Sequence, residues 1–140
     1  MRHLAERERG RLGACSAKDI ADNYGLPQEA LAKILQKLAR AGLLQSQYGT
    51  NGGYTLARDA RRITAFEVIE AIEGPLFVTS CVGVRGNCEQ STKCTVREPL
   101  RRVSRGIEDV LTHITIYDMV TDQAAEEQAV ALVNIEPALD

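Results

Sequence analysis

The chain has 140 residues, of which 44% are hydrophobic and 26% charged, a balance that can build a packed core and excludes disorder by composition. No apolar run is long enough to cross a bilayer, and the opening MRHLAERERGR is too charged for a secretory signal, so the expected compartment is the cytoplasm. The net charge of −2 conceals an asymmetry: residues 1–107 hold all 17 Lys and Arg against 11 acids, whereas residues 108–140 hold 8 acids and no Lys or Arg, which permits an anionic partner for the front portion only.

Residues 1–11 read as the end of a helix whose beginning is missing. Ser16 followed by Asp19 predicts a capping box, opening a short helix from Ala17 to about Asn23 that stops at Tyr24-Gly25. A second helix starts at Pro27, with Leu31, Ile34, Leu35 and Leu38 on one stripe and Gly42 as its stop. Leu44–Tyr48 and Tyr54–Arg58 then read as two strands around Gly49-Thr-Asn-Gly-Gly53, with Asn51-Gly52 as the hairpin signal because both residues tolerate positive φ. Helix, turn, helix and a glycine-tipped hairpin is the order of a winged helix-turn-helix.

Thr64 and Glu67 predict another capping box, for a helix with Ala65, Val68, Ile69 and Ile72 on one face that ends at Gly74-Pro75. Residues 80–95 form a Gly-, Ser-, Asn- and Cys-rich loop. The most regular pattern follows: Val96, Leu100, Val103, Ile107, Val110 and Ile114 are spaced alternately by four and three, a seam of period 3.5 that packs helix on helix. So strict a seam outlasts what one small domain needs and suggests a homodimer. The expected fold is mainly α with a small β-hairpin wing, plus a long dimerisation helix. Its divisions are 1–62 for the winged helix-turn-helix, 63–95 for the linking helix and cysteine loop, 96–119 for the dimerisation helix and a short following helix, and 120–140 for a loose acidic tail.

A helix that reads DNA needs polar, flexible side chains toward its N-terminal end, where base edges in the major groove come within reach. Gln28, Glu29 and Lys33 supply them. Ser16 and Lys18, at the start of the preceding helix, are placed for phosphates. At the wing, Tyr48, Thr50 and Asn51 with Gly52 and Gly53 allow close backbone approach, and Arg58, Arg61 and Arg62 offer positive charge nearby.

Of four cysteines, Cys81, Cys88 and Cys94 crowd into one loop, while Cys15 stands apart beside a helix cap and reads as packing. Zinc sites bring cysteines in closer pairs and take four ligands, neither of which is met by this C-x6-C-x5-C spacing. A wide glycine-containing loop of thiolates suits an iron–sulfur cluster, and Arg85, Lys93 and Arg97 favour thiolate chemistry. Free thiols acting as redox sensors, or a disulfide switch between two of them, remain alternatives. Enzymatic cysteine chemistry has no support: the two histidines, His3 and His113, lie near opposite ends, and no phosphate-cradling loop or metal dyad is present.

These residues together resemble the Rrf-two (Rrf2) family of bacterial winged-helix transcription regulators, in particular its IscR/NsrR-like members. The resemblance is carried by Ala41-Gly-Leu-Leu44, by Gly49-Thr-Asn-Gly-Gly-Tyr-Thr-Leu-Ala-Arg58, by Ile63-Thr with Val68-Ile-Glu-Ala-Ile-Glu-Gly-Pro75, by the three-cysteine loop and by Ile114-Thr-Ile-Tyr-Asp-Met119. It implies a homodimer on a palindromic operator in double-stranded DNA, with the long helix crossing its partner. It also implies that Cys81, Cys88 and Cys94 hold a cluster whose state changes DNA affinity, a 2Fe–2S or a 4Fe–4S type. The chain departs from that pattern in starting inside the first helix, in having Arg97 where IscR-like members place a histidine, and in a first cysteine gap one residue longer. The fourth ligand stays open among Glu89, Glu98 and His113.

Overall fold

The computed structural model describes residues 1–79, 88–90 and 92–121. Helix α1 (Arg2–Arg9) precedes α2 (Ala17–Tyr24) and α3 (Gln28–Arg40), a hairpin of β1 (Leu44–Gln47) and β2 (Gly53–Leu56) follows, and a 3-10 turn (Ala60–Arg62) leads into α4 (Ala65–Glu73). The long α5 (Arg97–His113) and the short α6 (Asp118–Thr121) complete the described chain. Both capping boxes form as expected: Ser16 caps α2 with Asp19, and Thr64 caps α4 with Glu67, each hydroxyl accepting the N–H of the acid three residues on. Pro27 is the N-cap of α3 rather than its first helical residue. That helix ends through Gly42 at φ 74°, which lets the Leu43 N–H reach back to the Leu38 carbonyl.

The apolar stripe of α3 points inward, with Leu35 and Leu38 buried and Leu31 and Ile34 half-buried. Leu4 and Ala5 of α1, Ile20 of α2, Leu43, Leu44, Leu56 and Ile63 join them in one core. The hairpin is antiparallel with Leu44 opposite Leu56 and Gln47 opposite Gly53. Cys15 extends this sheet: its N–H donates to the Tyr54 carbonyl, and the Tyr54 N–H returns to the Cys15 carbonyl at 2.8 Å. The wing is thereby stitched to the segment that starts α2.

The wing turn differs from expectation. Tyr48 lies outside the strand, the Gly52 N–H closes a turn on the Gly49 carbonyl, and positive φ falls on Gly49 and Gly53 rather than on Asn51 and Gly52. With Gln47 opposite Gly53, the loop is too long for the two-residue turn that Asn-Gly serves. Gly53 is needed for space: a Cβ there would stand 2.4 Å from the Cys15 backbone.

Residues Ile114–Thr121 return to the first part of the chain. Ile114 accepts from the Ala65 N–H, the Ile116 N–H donates to Ile63, and the Tyr117 N–H donates to Ala60. Ile116 is buried beside Ile63, Val120 packs on the core, and helix α6 runs to Thr121, past the residue 119 boundary expected from sequence. The acidic stretch 122–140 lies outside the described residues. No helix among the described residues is long and apolar enough to cross a membrane.

Candidate nucleic-acid interface and cysteine segment

The first turn of α3 carries Gln28 and Glu29, and one turn on stands Lys33; all three are exposed. Lys18, in the first turn of α2, is exposed as well. Helices α2 and α3 pack through their buried faces, so these polar groups belong to the outer surfaces of one two-helix unit. At the wing, Tyr48, Thr50 and Asn51 are exposed and Gly52 and Gly53 half-buried. Tyr48 is 96% exposed, an aromatic ring held almost clear of the protein.

Two residues expected at this surface are already engaged. The Ser16 hydroxyl accepts the Asp19 N–H and donates to Asp19 Oδ2 at 2.6 Å, and this donation, with a second from the Ser16 backbone N–H, holds the Asp19 carboxyl below the usual carboxylate range. Arg58 pairs with Glu67 at 2.7 Å, which directs its charge onto the first turn of α4. Glu67 is held below its ordinary range chiefly by the Thr64 backbone N–H, with Arg58 adding to the effect. Arg61 stacks over the Tyr117 ring, 4.2 Å from its centroid, on the side where α6 returns.

Cys15 behaves as packing. It is buried, its Sγ lies 3.7 Å from His3 Nε2, and burial pushes its thiol up from the ordinary range. Cys88 and Cys94 are free thiols, both half-buried, in the segment that runs into α5. Cys81 and Arg85 lie outside the described residues. Val96 caps α5 and Pro99 falls in its first turn, where a missing N–H costs nothing. Among the described residues, no group of three potential metal ligands gathers within one chain.

The suggested fourth ligands are separated by the structure. Glu98 pairs with Arg101 at 3.2 Å, and Glu89 is exposed. His113 ends α5, roughly 24 Å along the helix from Arg97 at the usual rise per residue, and its Nδ1–H donates to the Asp109 carbonyl. Within one chain, His113 and Cys94 cannot share an ion. Arg97 has a different distinction: its Nε is buried and has no hydrogen-bond partner among the described residues.

The seam of α5 faces outward. Val96, Val103, Ile107 and Val110 are 57, 51, 38 and 49% exposed, an apolar row that the single chain leaves open. Residues 1–122 match the family model described as Rrf2, Iron-dependent Transcriptional regulator. The chain belongs to the Rrf2 family. An Rrf2 relative, the HTH-type transcriptional regulator IscR of Vibrio parahaemolyticus, is 35% identical over 109 residues, covering 78% of this chain and 64% of that protein. The match therefore spans less than two thirds of that relative's length. Among solved structures, T. potens IscR overlays with a TM-score of 0.66 at 32% identity, covering 90% of this chain and 81% of that one. CymR (YrzC), the global cysteine regulator of B. subtilis, overlays with a TM-score of 0.67 at 30% identity and 86% coverage of each chain. These Rrf2 relatives are named as regulators, not enzymes, and their likeness fixes the winged-helix fold.

The sequence reading missed Lys37. Its Nζ donates to the Ile72 carbonyl at 2.8 Å, joining α3 to the last turn of α4. Nothing local to Lys37 signals this contact, since its acceptor lies 35 residues away.

Proposed function

We propose that this chain is a cytoplasmic, homodimeric DNA-binding transcription regulator that reads a palindromic operator and senses through an iron–sulfur cluster held by Cys81, Cys88 and Cys94. The observation that carries the reading is the combination on one fold of an exposed polar α3 start, a wing anchored on Cys15, and an open apolar seam on α5. Gln28, Glu29 and Lys33 reach base edges, Lys18 takes a phosphate, and Tyr48, Thr50, Asn51, Gly52 and Gly53 meet the neighbouring backbone or groove. Ser16 contributes through the N-terminus it caps, and Arg58 reaches a phosphate only by leaving Glu67. Two copies packed along the seam form an isologous interface, which fixes the distance between two α3 helices and hence the half-site spacing.

Cysteine thiols are the donor type that an iron–sulfur cluster takes. Cys88 and Cys94 are free and half-buried, thiolates suit iron–sulfur ligation, and the Arg97 Nε–H, without a partner among the described residues, is available to a sulfur acceptor in the turn that follows Cys94. A bound cluster, of 2Fe–2S or 4Fe–4S type, would supply an oxidant- and nitric-oxide-sensitive iron centre. The protein's own part is to order the segment between α4 and α5 when the three thiolates are engaged, and to release it when they are not.

The test is anaerobic purification with an absorption spectrum, iron and sulfide assays, and selection of bound sequences from a random double-stranded DNA pool. A coloured protein that loses colour in Cys81→Ser, Cys88→Ser or Cys94→Ser, together with enrichment of a palindrome, is expected. A colourless, iron-free protein overturns the cluster, and failure to enrich any sequence overturns the DNA reading. The free state of Cys88 and Cys94, with the likeness to a protein named a cysteine regulator, favours thiol sensing without a cluster as the second reading. There, a colourless protein would still change DNA affinity on mild oxidation.

A further inference from the structure

The two ends of α4 are held very differently. Its N-terminal end is pinned by main chain: the Ala65 N–H donates to Ile114 at 2.8 Å, and the Ile116 N–H donates to Ile63 at 2.9 Å. The Thr64–Glu67 capping box and the Arg58–Glu67 ion pair add to that anchor. At the other end, the Gly74 N–H closes on Glu70 within the helix, Ala71 and Ile72 pack on the core through their side chains, and Lys37 Nζ donates to the Ile72 carbonyl. That carbonyl sits in the last turn, where backbone acceptors lack helical partners and attract a cation.

A cleft of about 290 Å³, lined by Ala41, Leu43, Arg58, Glu67, Glu70 and Ala71, runs along α4 from its first turn, beside the turn that ends α3. Beyond Glu73 the chain enters the segment that carries Cys81, Cys88 and Cys94. Any change in how that segment is held therefore acts first on the end of α4 that side chains rather than main-chain pairing hold among the described residues, and Lys37 connects that end to the helix bearing Gln28, Glu29 and Lys33.

We propose that Lys37 is the positioning residue that couples the cysteine segment to the DNA-reading helix, α4 swinging about its fixed N-terminal end while the Lys37–Ile72 bond draws the C-terminal end of α3 with it. The proposal rests on the DNA-binding and sensing function argued above, and it assigns Lys37 no contact with DNA. Lys37 transmits the state of the segment, and its removal leaves both regions folded and packed together but without that hydrogen-bonded link.

The experiment uses the full chain as native protein and as the Cys88→Ser/Cys94→Ser form, each with Lys37 intact, Lys37→Leu or Lys37→Arg. Hydrogen–deuterium exchange is read first, without DNA. In the Lys37 background, removing the cysteines should raise exchange at the end of α4 and in the last turns of α3. With Lys37→Leu the rise should remain in α4 and vanish from α3, and Lys37→Arg should restore it. Operator affinity is read second, on a fragment selected by the native protein. The cysteine substitutions should change affinity by about fivefold or more with Lys37 present and by less than about twofold with Lys37→Leu. A response in α3 that persists in Lys37→Leu, or no response in α3 with Lys37 intact, overturns the proposal. An α3 response that depends on Lys37 in a protein that enriches no DNA sequence supports the coupling and overturns the DNA reading instead.

Discussion

Replacing Ile107 by lysine should turn the proposed dimer into a monomer while leaving the fold intact. Ile107 lies mid-seam on α5 and is 38% exposed in the single chain, so its own protein already covers most of it. Complete burial of such a side chain is worth about 1.5–3 kcal/mol, which leaves roughly 0.6–1 kcal/mol per copy for a partner to gain. Both copies contribute at a two-fold interface, so Ile107→Ala should weaken association by about 1–2 kcal/mol, roughly five- to thirtyfold in the dissociation constant. Lysine removes the same gain and adds two ammonium groups that must be desolvated or expelled, so the loss should exceed about a hundredfold. Sedimentation equilibrium over a dilution series gives the constants, and far-ultraviolet circular dichroism checks the helices. Equal masses for native protein and Ile107→Lys at every concentration would refute the reasoning, because the open row on α5 would then be unrelated to self-association.

Three other expectations rest on single geometries. Gly53→Ala should lower stability by about 1–3 kcal/mol in urea unfolding, since its Cβ would press within 2.4 Å of the Cys15 main chain at a φ of 152°; a neutral substitution would mean the wing is not seated there. Glu67 has a folded pKa below its ordinary value, so its contribution is complete above the ordinary glutamate range and is lost as pH falls through the lower folded value. The denaturation midpoint of the native protein should therefore drop further between about pH 5 and pH 3 than that of Glu67→Gln, and parallel curves would remove Glu67 from the account. Cys15, buried and with its thiol pushed upward, should alkylate far more slowly than Cys88 and Cys94 in the folded, metal-free protein, as read by mass spectrometry; labelling of all three at one rate would contradict its place in the core.

What the sequence made legible was local. Ser16 with Asp19 and Thr64 with Glu67 announce their helices because each box closes within four residues, and both boxes form. The Leu31–Leu38 stripe and the Val96–Ile114 seam carry their periods in adjacent turns, and structure assigns them opposite fates: Leu35 and Leu38 are buried, while Val103, Ile107 and Val110 stay open. The winged-helix order was readable for the same reason, but the form of its turn was not. Asn51-Gly52 suggested a tight hairpin, whereas the conformation is decided at Gly53 by the Cys15 backbone, far back in the chain. Ile116 illustrates the same limit: it has no periodic neighbours, and its burial follows from pairing with Ile63 across the whole of α4 and α5. Arg58 looked free for phosphate because its partner Glu67 was read only as a cap.

The contacts that escaped the sequence are also the ones that join separate parts of the protein. Cys15 with Tyr54 holds the wing to α2, Ile63 with Ile116 closes the chain beyond α5 onto the core, and Lys37 with Ile72 links α3 to the approach to the cysteines. A helix period can say that α3 and α4 exist and which faces they bury, but it cannot say which end of α4 is fixed. The coupling proposed above rests on that difference: main-chain pairing with Ile114 and Ile116 fixes the start of α4, whereas its last turn meets the rest of the protein through side chains, Ile72 on the core and Lys37 on the Ile72 carbonyl.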